Sequence, residues 1–185
     1  MIERGLINRD VEPDAVYSKV IVSVDPPFMS PGRDGVCGII VAGLYGIGGD
    51  SPGVHIIHDG TLGVRQPVDW ARSVCSLAAM WRAQYVLADL DAGYGFVSSM
   101  INMVDPDVVV RGVKGRKSRS DREDPVAALY QSGRVRHREA FNRLEDELGA
   151  RALGRIGAYH RRSALVWAVW DLLLQDDGSA ACRIL

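Results

Sequence analysis

Apolar residues follow two different periods along the chain. Lys19–Asp25 (KVIVSVD) is a β-rich apolar run ended by Pro26 and Pro27, which predicts a buried strand stopping at an acid. Residues 28–35 form a Pro/Gly/Ser loop. Val36–Tyr45 predicts a second strand closed by Gly46, Gly48 and Gly49, and Val54–Leu62 alternates as a third. Their short connections predict an antiparallel meander.

From Pro67 the period becomes helical. Proline suits a first helical turn, and Val68, Ala71, Val74, Cys75, Leu77, Ala78 and Trp81 make one core-facing stripe to Gln84. Tyr85–Ala88 is a short apolar strand, again ended by an acid, Asp89. A glycine turn (91–95) leads to a helix near Phe96–Val104, and Asp107–Val110 predicts a fifth strand. Helices are predicted at Pro125–Gln131, Phe141–Ala150 and Arg161–Leu174, with Gly133–His137 a candidate short strand. Three meander strands followed by helix–strand–helix–strand predict an α/β fold with a five-stranded mixed sheet, its late strands parallel.

The chain has 185 residues, 47% of them apolar, enough for a single domain with a sizeable core. The expected core is residues 19–174, with a flexible arm at 1–18 and a loose tail at 175–185. No apolar stretch reaches the roughly 20 residues that span a bilayer. The first residues, MIERGLINRD, are charged and lack a signal-peptide core, so the cytoplasm is the expected compartment. Cys37, Cys75 and Cys182 are far apart and lie in no CxxC or Cys/His cluster, so buried or incidental thiols are expected. The Gly46–Gly49 turn lacks the strand–loop–helix context and the Lys-Ser/Thr of a nucleotide loop.

Charge changes the picture through its distribution. The net formal charge is −1, but residues 1–110 carry −6 and residues 111–162 carry +7. An acidic half before a basic segment is the arrangement of a metal site beside a phosphate-binding surface, or merely of asymmetric solvated faces. Arg111, Lys114, Arg116, Lys117, Arg119 and Arg122 place six cations in twelve residues, opposed only by Asp121. Such cations contact phosphates without reading sequence.

The acids define the candidate chemistry. Asp25 and Asp89 each follow a buried strand, and neighbouring strands lie about 4.8 Å apart. If those strands are adjacent, the two carboxylates can share Mg²⁺ or Mn²⁺; the plainer alternative is that each acid only marks a turn. Asp91, two residues on, is either a ligand or the cap of the next helix, with capping favoured.

The ordered motifs resemble the C-terminal nuclease domain of phage and gene-transfer-agent terminase large subunits. VIVSVDPP (20–27) and GIIVAGLYG (38–46) resemble its first two strands. The segment 66–97, QPVDWARSVCSLAAMWRAQYVLADLDAGYGFV, resembles its helix, acidic strand end and glycine turn. The segment 112–148 is similar to its Lys/Arg loop, R-x-x-P helix, LY-x-x-G-x-V-x-H turn and LE helix, and ALVWAVWDLL (164–173) to its last helix. The resemblance covers about residues 19–174. It implies a ribonuclease H-like fold, two Mg²⁺ or Mn²⁺ ions, and endonucleolytic cutting of concatemeric double-stranded DNA with little sequence preference. It also implies an ATPase domain, a portal and a small terminase as partners, in the host cell cytoplasm. The family's first two acids fall on Asp25 and Asp89. Its third falls on Ser163, a neutral and weaker ligand; His160, one turn earlier, is either a further contact to metal or water or, the favoured reading, a polar residue at a helix start. Asp171, eight residues beyond Ser163, is about 12 Å along the helix axis and too far to substitute. The departure at Ser163 leaves a second reading open: a catalytically silent module for DNA binding or motor assembly.

Overall fold

The computed structural model describes residues 2–27, 35–46, 51–64, 66–90, 93–114, 119–149 and 159–175. The expected meander is present as β1 (Lys19–Asp25), β2 (Gly35–Tyr45) and β3 (Gly53–Asp59), paired antiparallel in sequence order. The third run is shorter than predicted because Gly60 breaks it. The Asp59 side chain accepts from the Thr61 backbone N–H at 3.1 Å, turning the chain into a separate β4 (Leu62–Val64) that pairs with the start of β2.

Beyond the meander, α1 (Pro67–Met80) leads to β5 (Tyr85–Asp89), and α2 (Tyr94–Val104) leads to β6 (Val110–Val113). Then come α3 (Arg119–Gln131), β7 (Val135–His137), α4 (Asn142–Leu148) and α5 (His160–Val169), which widens into a π-helical turn over Trp170–Leu174. The sheet has seven strands rather than five, in the order β6-β5-β1-β2-β3-β7, with β4 attached to β2. β5 runs parallel to both β1 and β6, and β7 parallel to β3.

Strand periodicity divides the core between two faces. Val22, Val24, Val86 and Ala88 pack under α1 and α2 with Trp70, Val74 and Ile101. Ile21, Ile40, Ala42, Tyr85 and Leu87 pack on the opposite face with Leu165, Trp167 and Val169 of α5. Trp70 and Trp167 are buried, while Trp81 and Trp170 are half-buried at the margins of the core; the thiols Cys37 and Cys75 are buried, and Cys182 lies outside the described residues.

The predicted fifth strand at 107–110 is shifted to 110–113, because Asp105 accepts from the Asp107 N–H at 3.0 Å and turns the chain there. α3 starts at Arg119, with Pro125 inside it rather than at its head. The segment expected as an arm packs in its first part: Ile2 and Ile7 are buried, and the Asn8 carbonyl accepts from the His137 N–H at 2.9 Å. The tail beyond Gln175 lies outside the described residues. Among the described residues no helix is long and apolar enough to cross a membrane.

Candidate active site at the ends of two parallel strands

β1 and β5 are hydrogen-bonded neighbours, registered Val22 to Val86, Ser23 to Leu87 and Val24 to Ala88. One step further, Asp25 and Asp89 end the two strands side by side. Alternation puts both on the α5 face, because Ile21 and Tyr85 face that way four residues earlier. Two carboxylates on adjacent strands are thus about one strand spacing apart at the backbone. Each is only partly exposed, at 18% for the Asp25 side chain and 15% for Asp89.

The first turn of α5 covers Asp25. His160 Nδ1 lies 2.9 Å from Asp25 Oδ2, so the helix-start histidine is a direct partner of the first acid. This approach depends on Gly38, which pairs with Asp25 on β2; a Cβ there would overlap the His160 carbonyl. The helix start is fixed from the other side by Arg161, 11% exposed. Its Nε donates to Asp59 Oδ2 at 3.0 Å and its Nη1 to Glu147 Oε1 at 2.8 Å. The other Glu147 oxygen accepts from the Arg162 backbone N–H at 3.3 Å, serving a donor that the first helical turn leaves without an intrahelical acceptor.

α3 covers Asp89. Arg122 Nη1 lies 3.7 Å from Asp89 Oδ2, and the same guanidinium sits 4.4 Å above the ring of Trp167. Arg122, Glu123, Tyr159, Arg162, Ser163, Val166 and Trp167 line a small pocket between α3 and α5, where Arg162 is ion-paired to Glu123. Ser163 is bracketed by the site: His160 on Asp25 is one turn before it, and Arg122 on Asp89 shares its pocket.

The basic segment leaves the sheet at this same end. Asp89 pairs with Val113, and Lys114 follows, exposed. Arg111 lies lower on β6, its guanidinium 4.1 Å over the Tyr85 ring. Tyr85 donates to Asp171 at 2.5 Å, so Asp171 serves the opposite end of β5. Arg119 heads α3, while Asp91, Arg116 and Lys117 lie outside the described residues. Sequence reasoning missed Arg161, Glu147, Asp59 and Glu123. The HRR and LEDEL runs carried the signal as charge, but nothing local says which acid meets which arginine.

Asp25 and Asp89 end adjacent strands as two partly buried carboxylates, oxygen donors of the kind a hard divalent cation takes, and each already draws a basic side chain of the chain itself. Among the described residues no group of three or more His, Cys, Asp or Glu side chains is assembled to hold a metal, and Ser163 offers a hydroxyl where a third carboxylate is expected.

No family model and no curated protein matches the sequence. Solved structures do match by fold. The large terminase of a thermophilic bacteriophage aligns with a TM-score of 0.62 at 13% identity, over 91% of this chain and 43% of that one. The human cytomegalovirus terminase nuclease domain aligns at 0.61 and 11%, over 96% of both chains, and a Mn-soaked form of it at 0.52. The large terminase nuclease of the thermophilic phage G20c aligns at 0.53 and 15%, over 92% of this chain and 93% of that one. The chain thus spans less than half of the first of these proteins but nearly all of the isolated nuclease domains. Its fold is that of large-terminase nuclease domains, the ribonuclease H-like α/β architecture expected from the sequence, with seven strands in place of five.

Proposed function

We propose that this chain is a metal-dependent endonuclease domain that cuts concatemeric double-stranded DNA during viral DNA packaging, with little sequence preference. The observation that carries the reading is the convergence of Asp25 and Asp89 at one edge of the sheet, on the face covered by α5. Asp25 and Asp89 would hold Mg²⁺ or Mn²⁺, and Ser163, in the pocket that Arg122 lines, would add a hydroxyl. When bound, such ions supply an activated water and stabilise the leaving oxygen of a phosphodiester.

The protein's own part is placement. Asp25 is oriented by His160, whose helix is anchored by Arg161 between Asp59 and Glu147. Lys114, exposed where β6 ends beside Asp89, would track the DNA backbone together with Arg111, Arg116, Lys117, Arg119 and Arg122. Contacts of this kind position a duplex without reading its bases, which accounts for low sequence preference. An ATPase domain, a portal and a small terminase are the partners of this reading, and the host cell cytoplasm its compartment.

A second reading is favoured by Ser163: the same fold as a silent module for DNA binding or motor assembly. Plasmid nicking in Mn²⁺ separates the two. Wild type is expected to nick, and Asp25→Asn to lose nicking at unchanged stability. Equal nicking by both removes Asp25 from the mechanism; DNA binding without nicking by wild type favours the silent module.

A further inference from the structure

We propose that Arg9 is a positioning residue for the strand-end acids, and residues 2–9 a strap on the site: through α4 they hold the start of α5, and with it His160 on Asp25. The inference deepens the nuclease reading and rests on it for the identity of the ion at Asp25.

The strap is bound to α4 along its length. Ile2 and Ile7 are buried in the same core cluster as Leu144 and Leu148, and the Ile2 N–H donates to the Leu148 carbonyl at 3.1 Å. Arg4 donates to the Asn142 carbonyl at 2.9 Å and pairs with Asp146 at 3.0 Å. Arg9 reaches in from the surface, its side chain 38% exposed, and donates at 2.6 Å to Oε2 of Glu145, an acid only 1% exposed. Glu145 is otherwise met by Arg4 Nε at 3.7 Å, His137 Nδ1 at 3.3 Å and the Phe141 N–H at 3.2 Å. With His137 neutral above its pKa of about 4, the charge of Glu145 is balanced from the strap, by Arg9 and Arg4.

α4 passes this restraint on because of its length and its two buried acids. At seven residues it is too short to hold a helix without outside contacts. Glu145 and Glu147 are two residues apart, about 200° around the helix, so they leave it on opposite sides. Glu145 meets the strap, while Glu147 takes Arg161 Nη1 at 2.8 Å and the Arg162 N–H at 3.3 Å. Those two arginines follow His160, whose Nδ1 lies 2.9 Å from Asp25 Oδ2. Direct contacts therefore join Arg9 to the first acid through Glu145, Glu147, the first turn of α5 and His160. Asp59 also holds Arg161, at 3.0 Å, so releasing the strap loosens the helix start without freeing it. Partners that orient a ligating carboxylate strengthen its hold on an ion, so a looser His160 weakens the site.

The test follows amide hydrogen exchange without metal, and Mn²⁺ affinity by electron paramagnetic resonance, on the full chain. The Arg162 amide is bonded to Glu147 and the Ser163 amide to the Tyr159 carbonyl. In Arg9→Gln both should exchange at least about threefold faster, and Mn²⁺ should bind at least about threefold more weakly. The Val97 and Asp105 amides, bonded within α2, are the control and should not change. Arg9→Lys, which keeps a charge opposite Glu145, should restore both readings. In a Glu147→Gln background, Arg9→Gln should change either reading by less than about twofold, because the link it acts through is already cut. Losses that multiply in full in that background overturn the proposal. So does equal acceleration at the α2 amides, or an Arg9→Gln protein whose exchange matches wild type. If Arg9→Gln does not fold, Arg4→Gln, which takes a half-exposed guanidinium from the same helix, is read by the same outcomes. Faster exchange in a protein that binds no Mn²⁺ leaves the strap standing and sinks only the nuclease reading; Mn²⁺-dependent nicking with unchanged exchange does the reverse.

Discussion

The backbone carbonyl of His160 occupies the space that a side chain on Gly38 would need. Gly38 is registered with Asp25 on the adjacent strand, and His160 donates to Asp25 at 2.9 Å, so one glycine sets how closely α5 approaches the first acid. Gly38→Ala should therefore push the start of α5 away from the sheet. Overpacking of this kind costs about 1–3 kcal/mol. The expected result is a lower urea midpoint together with a loss of nicking larger than the stability change explains. An alanine variant that matches wild type in both would show that the approach is not needed.

The two acids are legible because each ends a short apolar run, and a run that stops at an acid is visible without knowing the fold. Their adjacency is not, since it depends on β5 crossing back to lie parallel to β1. The same non-locality hides Asn8 beside β7 and Arg161 beside Asp59. Boundaries fail where local chemistry gives a misleading cue. Pro125 has the marks of a helix start, yet it lies inside α3, so Arg119 and Arg122 belong to a helix rather than to a loop. The apolar pattern predicts a last helix continuous to Leu174. Its final turn instead closes from the Gln175 N–H to the Trp170 carbonyl, five residues back. In the sequence His160 is a polar residue at a helix start, which it is. Only the packing of α5 over β1 and β2 makes it a partner of Asp25.

Arg161 is the anchor of that helix start. Its guanidinium joins Asp59 and Glu147, and both acids, like Arg161 itself, are largely withdrawn from water. Removing one member leaves charge buried without its partner, a loss of about 3–5 kcal/mol. Arg161→Ala should lower stability by that order in urea denaturation. Arg161→Met, which fills the space without a charge, should not recover it, because Asp59 and Glu147 remain. A fall of only a few tenths of a kcal/mol would mean that solvent screens the network.

Acid should destabilise the fold through its buried histidines. Burial, opposed by the nearby Glu145 carboxylate, lowers the His137 pKa from 6.5 to about 4. Burial and the Arg136 charge lower that of His55 to about 4 as well. Both rings stay neutral in the fold while the unfolded chain takes up protons below pH 6.5. Their contribution is therefore full above pH 6.5 and is lost as pH falls toward 4, at up to about 1.4 kcal/mol per pH unit for each ring. Glu145 acts in the same direction at lower pH. Although burial works against it, Arg9 and His137 hold its carboxyl below the usual range. Urea midpoints measured from pH 7.5 to 4 should drop most steeply between 6.5 and 4, and replacing His55 with Gln should flatten that slope. A midpoint that is constant down to pH 4.5 would contradict the neutral, buried state of both rings.

Ser163 offers the most direct change to the site's chemistry. It lies one turn after His160, in the pocket that Arg122 lines, so an aspartate there would join Asp25 and Asp89 from the α5 side. A third carboxylate supplies a hard oxygen donor in place of a hydroxyl, and affinity for hard divalent ions rises with ligand charge. It also adds a negative charge beside Arg122, which limits the repulsion among the three acids. Ser163→Asp should bind Mn²⁺ at least about tenfold more tightly, a difference of about 1.4 kcal/mol. Nicking of plasmid in Mn²⁺ should increase with it, and the increase should vanish in the Asp25→Asn background. Tighter metal without more nicking would assign the site to binding alone. Unchanged metal affinity would show that position 163 does not reach the ion held by the two strand-end acids.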